Sequence, residues 1–294
     1  MIIKPEDYPV NEFHSFLLGA VGPRPIAFAS TIDKNGNVNL SPFSFFNVFS
    51  SNPPVLIFSP ARRVRDNTTK HTLENVKEVP EVVINIVNYS MVQQTSLAST
   101  EYDKGVNEFI KAGFTEAPST SIKPPRVKEA PVSFECDVIQ VIELGQSGGA
   151  GNLILCKIKL AHAKEEIFDT GLKIDPNKID LVARMGADYY CRASGKALFE
   201  VPKPLQTKGI GIDRLPEKIK SSTVLTGNDL GMLANIEQLP EKDTIQDSSV
   251  LSSIKDILSI TDQNKRELLL HMEAKSLLAQ NKVTEAWKIL LLSL

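Results

Sequence analysis

Two stretches of this 294-residue chain gather side chains that could hold a ligand. In the first, Arg24 to Pro60, hydroxyls and amides alternate with apolar residues. Ser30 and Thr31 follow the run Ile26-Ala27-Phe28-Ala29, and Ser41, Ser44, Phe45, Phe46 and Asn47 follow the turn Asp33-Lys34-Asn35-Gly36. On paired strands this spacing suits a flat, amphipathic ring held by hydrogen bonds, and it equally suits a Ser/Phe-rich β-meander with no ligand. The second stretch, Ala61 to Lys70, follows Ser59-Pro60 and holds Arg62, Arg63, Arg65 and Lys70 among Asp66, Asn67, Thr68 and Thr69. Forked guanidinium donors and hydroxyls beside a helix start are what a phosphomonoester requires. A solvated charged turn has the same composition.

The elements that must position these residues are legible in outline. Asn11 to Val21 spaces Phe13, Phe16, Leu17, Leu18 and Val21 as a helix, stopped by Gly22-Pro23. Asp33 to Gly36 marks a hairpin between Ile26–Thr31 and a second run reaching Asn47, broken by Asn52-Pro53-Pro54. Val55 to Phe58 is a third short strand, and His71 to Lys77 a helix. Glu81 to Val87 reads as a buried strand, Tyr89 to Ala98 and Val106 to Ala112 as helices, and the proline-rich Ala117 to Pro131 as a surface loop. Val132 to Leu144 is a long strand whose alternation slips at Ile139-Gln140-Val141, the sign of a β-bulge. Gly145-Gln146-Ser147-Gly148-Gly149 matches G-x-S-x-G, but Leu153 to Ala163 beyond it alternates at period two. The glycines therefore make a hairpin loop, not the strand–turn–helix of a hydrolase nucleophile.

Past Pro204 the chain changes character. Leu215-Pro216-Glu217-Lys218 recurs as Leu239-Pro240-Glu241-Lys242, and Thr226 is a helix N-cap candidate. Asp247 to Leu294 reads as a helical tail with apolar Leu251, Ile254, Leu258, Leu269, Met272, Leu277, Val283, Ala286, Trp287 and Leu290. Two domains are expected, 1–204 and 205–294.

Composition bounds the function. With 42% hydrophobic and 23% charged residues the chain is ordinary for a globular protein, and a net charge of −2 leaves no basic footprint for nucleic acid. Three cysteines, Cys136, Cys156 and Cys191, have no metal-ligand spacing and suit a reducing cytoplasm. No apolar run reaches membrane-spanning length, and Met1 to Val10 lacks the pattern of a secretion signal. A cytoplasmic location is expected. No Rossmann glycine pattern follows a strand, so no dinucleotide-binding fold is expected.

The ordered set Arg24-Pro25-Ile26-Ala27, Ser30-Thr31, Asn39, Pro42 to Asn47 and Pro53-Pro54 resembles the flavin reductase-like family of FMN-binding split barrels, which includes flavoredoxin. The resemblance runs from about Leu17 to Pro204. It implies an α+β, mainly β fold, a Greek-key split β-barrel, here with a C-terminal helical extension. It implies FMN as cofactor, a homodimer with the cofactor near the subunit interface, and electron transfer from NAD(P)H or from a redox protein partner. Ser30, Thr31, Ser44, Phe45, Phe46 and Asn47 would then cradle the ring. The phosphate anchor would lie between Ser59 and Thr68, with Arg62, Arg65, Asp66 and Thr68, although the extra Asn67 shifts the register. Met185 to Tyr190 resembles a segment that lies close to the flavin, which puts Gly186 and Tyr189 in the site. The two tyrosines read on their own equally suit core packing. His162, at a strand end, is either a core-edge residue or, by the resemblance, a substrate contact. No side chain is expected to act as a catalytic nucleophile. One departure concerns the electron donor: where several NAD(P)H-dependent relatives carry Gly-Asp-His, this chain has Gly151-Asn152-Leu153. That favours the alternative of a non-enzymatic FMN electron carrier of flavoredoxin type.

Overall fold

The turn at Asp33 sets the first strand pair. Asp33 Oδ1 accepts the backbone N–H groups of Asn35 and Asn37 at 2.8 and 2.9 Å, and Gly36 takes a φ of 86°. Strand β1 (Ala27–Ile32) thereby folds back on β2 (Val38–Phe43), with Ala29 opposite Ser41 and Thr31 opposite Asn39. The computed structural model describes residues 1–204, 208–240, 252 and 254–294.

Five further strands complete the main sheet: β3 (Phe46–Ser51), β4 (Pro54–Phe58), β5 (Glu81–Ile86), β8 (Val132–Glu143) and β9 (Asn152–Ala163). Two short strands, β6 (Glu116–Ala117) and β7 (Arg126–Val127), pair inside the proline-rich loop. The main sheet runs β2-β1-β5-β8-β9-β4-β3, antiparallel throughout. Its edge strands, β2 and β3, are consecutive in the chain, joined by Ser44 and Phe45 alone. Such a link spans no more than roughly 10 Å. The sheet must curl until its edges approach, and the result is a split barrel. The single run expected to reach Asn47 is therefore two strands on opposite edges. The slip in β8 is real: its register against β9 shifts between Val138 and Gln140, and again between Glu135 and Cys136.

Strand β1 is buried along its whole length because both its faces are covered. Ala27 and Ala29 pack with Leu73 and Val76 of helix α2 (His71–Glu78), while Phe28 joins Leu40, Phe109 and Phe114 on the other side. Helix α1 (Val10–Ala20) precedes the barrel, α3 (Val92–Leu97) and α4 (Glu108–Ala112) follow β5, and the hairpin β10 (Leu181–Arg184) with β11 (Tyr190–Ala193) ends it. Arg24 ties α1 to that hairpin. Its backbone exchanges two 2.9 Å hydrogen bonds with Arg184, and its guanidinium donates to the carbonyls of Leu18, Val21 and Met185.

The chain forms two compact units, Met1–Phe199 and Glu200–Leu294. The second has its own core of Ile219, Leu233, Leu270, Leu278, Trp287 and Leu290, among others. Thr226 and Asp229 form a reciprocal capping box at the start of the helix Gly227–Ala234. The helix Gln263–Leu278 buries Leu270, His271, Ala274 and Leu278, so its buried face is not the expected one: Met272 is exposed. The tail's first residues, 247–251 with 253, and residues 241–242 of the second Leu-Pro-Glu-Lys lie outside the described residues. Among the described residues no helix is long and apolar enough to cross a membrane.

Candidate functional site

The charged loop between β4 and α2 is held by its own polar groups. Asp66 Oδ1 accepts the Thr68 hydroxyl at 2.6 Å and the Thr68 N–H at 3.0 Å. These bonds, the hydroxyl first, bring its carboxyl down to about 2. Asn67 sits at a φ of 56°, a left-handed conformation that asparagine tolerates. Its side-chain oxygen and backbone carbonyl both accept from Arg62, at 2.7 Å each. Arg62 is thus a staple of the loop.

Arg63 turns the other way. Its Nη1 donates to the Thr68 hydroxyl and the Thr69 carbonyl, and its Nε to Glu101 at 2.8 Å. Arg65 reaches the same carboxylate at 3.0 Å and Lys70 at 3.5 Å. Hydrogen bonds from Arg63 and then Arg65 bring the Glu101 carboxyl down to about 2. Lys70 stands at the N-cap of α2, where no side chain caps the helix. Here lies a small polar recess whose walls include Asn39, Ser41, Arg63, Lys70, Thr72 and Ser99. Behind it Thr72 donates to Asn39 at 2.7 Å, and Asn39 donates to the buried Glu108 at 2.8 Å. Burial raises the Glu108 carboxyl, against hydrogen bonds from the Leu40 N–H and from Asn39.

Ser99 lines a second space as well, a cavity of about 610 Å³. Ile26, Pro42 and Ser44 form one wall, Tyr89 and α3 residues another, and Arg184, Tyr190, Cys191 and Arg192 of the terminal hairpin a third. The Arg184 guanidinium lies 4.7 Å from the centre of the Tyr190 ring and that of Arg192 3.9 Å from the Tyr89 ring. Arg192 is further fixed by two 2.7 Å bonds to Asp180. One space is large and partly aromatic; the other is small and charged, with Arg63 and Lys70 set against the carboxyl groups of Glu101 and Glu108.

The candidate residues from the sequence distribute unevenly over this geometry. Ser44 lines the cavity. Arg65 pairs with Glu101 at the edge of the recess, while Arg62, Asp66 and Thr68 shape the loop beside it. Ser30 and Thr31 are fully buried in β1: Thr31 accepts a hydrogen bond from Asn75 of α2, and the Ser30 hydroxyl has no partner among the described residues. Phe45 is part-exposed in the link between the edge strands, Phe46 packs on the core, and Asn47 accepts the Val48 N–H. The Ser59 hydroxyl is buried and accepts the Asn152 N–H at 3.0 Å. Gly186 abuts α1, where an added Cβ would stand 3.0 Å from the Gly19 Cα. Tyr189 is 75% exposed, and its neighbour Tyr190 is the one that lines the cavity. His162 donates to the buried Glu135 at 2.6 Å, and neither lines the cavity or the recess.

Arg63 and Lys70 belong to the cationic stretch but not to the narrower phosphate anchor, whereas Thr72 in the recess and Tyr89, Arg184 and Arg192 in the cavity were not among the candidates. Lys70-His71-Thr72 does carry a local signal, since it opens α2. The arginines of the hairpin carry none, because only folding brings residues 184 and 192 beside residue 44.

The fold is that of a known class. The sequence profile of the flavin reductase like domain matches residues 20–176, and the chain belongs to that family. An uncharacterized protein of Aquifex aeolicus is 38% identical over 191 residues, 65% of this chain and 95% of that one. Among solved structures, nitrilotriacetate monooxygenase component B from Bacillus cereus is similar with a TM-score of 0.64 and 27% identity, over 68% of this chain and 98% of that one. The 2-nitrobenzoate 2-nitroreductase of Pseudomonas fluorescens is similar with a TM-score of 0.61 and 26% identity, over 71% and 100%.

Proposed function

We propose that this chain binds FMN and passes electrons through it as a flavin reductase-like oxidoreductase. One observation carries the reading: a cavity of about 610 Å³ shares Ser99 with a recess lined by Arg63 and Lys70. That volume is ordinary for a cofactor site. FMN joins a flat ring to a phosphate, and the two spaces suit its two ends. Arg63 and Lys70 would hold the phosphate, with the Ser41, Thr72 and Ser99 hydroxyls in reach of the same recess. Tyr89 and Tyr190 offer ring faces beside the larger space, each with an arginine already stacked. A bound flavin supplies the redox chemistry itself, taking up a hydride or electrons and handing them on. The chain's part is to bind it, orient it and set its surroundings.

NAD(P)H is the electron donor in this reading, and a redox protein partner is the donor in a second. One observation favours the second. Asn152, at the position of the Gly-Asp-His element, is 1% exposed, and its amide donates to the Pro60 carbonyl at 2.8 Å. It is a structural pin and offers nothing to a pyridine nucleotide. Three free thiols support a cytoplasmic location. A homodimer completes the proposal, supported by the exposed Phe16 and Leu17 of α1 and Val48 and Phe49 of β3. The test is a visible spectrum with added FMN, before and after anaerobic NADH or NADPH. A perturbed band that bleaches supports the reductase. One that persists supports the carrier, and the absence of a perturbed band overturns both.

A further inference from the structure

The recess assigned to the phosphate is already filled by the chain. The Glu101 carboxylate takes hydrogen bonds from Arg63 at 2.8 Å and Arg65 at 3.0 Å and lies 3.5 Å from Lys70. About 20 Å³ remains beside it. That is room for about one water and not for a phosphate. We infer that Glu101 is an internal counter-anion that the phosphate of a flavin nucleotide displaces, so that this residue sets how strongly the site prefers phosphorylated flavin. The inference rests on the FMN reading above.

A carboxylate and a phosphate cannot share the recess, since each would desolvate and repel the other. Glu101 is free to yield. Its side chain is 41% exposed, and it lies beyond α3 in a segment without regular structure. Its low carboxyl value means that it stays ionised at neutral pH, so protonation does not empty the recess. With Glu101 swung into solvent, Arg63, Arg65 and Lys70 are left around the vacated position, and the first residues of α2 line the recess beside it. Every phosphate bond is then an exchange for an existing carboxylate bond. The net gain on binding is smaller than the number of cations suggests, and the cofactor leaves more readily.

The experiment compares the wild type with Glu101→Gln, which keeps the side chain's size and removes its charge. FMN, FAD and riboflavin are titrated by quenching of flavin fluorescence, and thermal midpoints are read with and without inorganic phosphate. The expected result is FMN affinity raised about 10-fold in the variant, riboflavin affinity unchanged, and a larger stabilisation by inorganic phosphate than in the wild type. A parallel gain for FAD extends the same conclusion to the bridging pyrophosphate of a flavin dinucleotide. Glu101→Asp, which draws the charge back by one methylene, is expected between the two. FMN affinity equal or lower in Glu101→Gln, in a protein whose wild type prefers FMN to riboflavin, overturns the inference and leaves the FMN site standing. Equal affinity for FMN and riboflavin in both proteins overturns the FMN site, and this inference with it.

Discussion

Arg63 and Arg65 are two residues apart and differ in what they can contribute. The Arg63 side chain is 16% exposed and anchored to Thr68 and Thr69, so its fork is oriented before any ligand arrives. That of Arg65 is 73% exposed. Arg63→Ala should weaken FMN binding by on the order of 1.5–3 kcal/mol, and Arg65→Ala should weaken it less. Riboflavin binding should be unchanged in both, which a paired titration would check. Glu135 makes a prediction about acid. Burial pushes its carboxyl up, but the Ser121 hydroxyl, the Thr120 N–H, His162 and the Ser121 N–H outweigh this and bring it down to about 2. A carboxyl depressed in the folded state stabilises above its unfolded value and loses that contribution as pH falls through the folded one. Stability should therefore drop between about pH 4.5 and 2, by on the order of 3 kcal/mol. Denaturant midpoints across that range should show this loss, and Glu135→Gln should show a lower plateau without it.

At the scale of the element, the sequence marks strands and turns where local chemistry decides them. The hairpin at Asp33 and the slip at Ile139 are of that kind, because a turn residue or a broken alternation is visible in place. The break at Ser44-Phe45 was not legible: neither residue interrupts a strand, and the division arises because the two edges of one sheet must meet. Tyr189 and Tyr190 differ for a similar reason. The turn closed by Met185 and Tyr189 decides which ring faces the cavity, and no local pattern separates them. Gly186 suits the close approach of α1, where the nearest atoms to an added Cβ are backbone, at 3.0 and 3.3 Å. Gly186→Ala should cost about 1–3 kcal/mol in a denaturant unfolding experiment. The hairpin also supplies a reporter. Burial pushes the Cys136 thiol up to about 12 and raises the Cys156 thiol well above its usual range, whereas Cys191 lines the cavity. One thiol of the three should react with a disulfide reagent in the native protein, and FMN should protect it.

For the molecule as a whole, the ordered motifs between Arg24 and Pro54 were enough to read a split barrel, because hydroxyls, prolines and the double phenylalanine recur in a fixed order. The cationic recess was half legible. The residue types were visible, but the register was not, since Asn67 adds a residue that its left-handed turn absorbs. Helix α1 has no buried residue, and the edge strand β3 exposes Val48 and Phe49 at 63% each. An apolar edge left open is an association surface. Sedimentation should give a dimer for the wild type and a monomer for Phe49→Asp with unchanged circular dichroism. The most direct test of the FMN site is the ratio of dissociation constants for riboflavin and FMN in the wild-type protein at one salt concentration. Binding of the ring in the cavity and the phosphate in the recess requires FMN to bind at least about 10-fold more tightly, a difference of about 1.4 kcal/mol. Equal constants would mean that the cations around Glu101 hold only Glu101, and that the recess belongs to the fold and not to a cofactor.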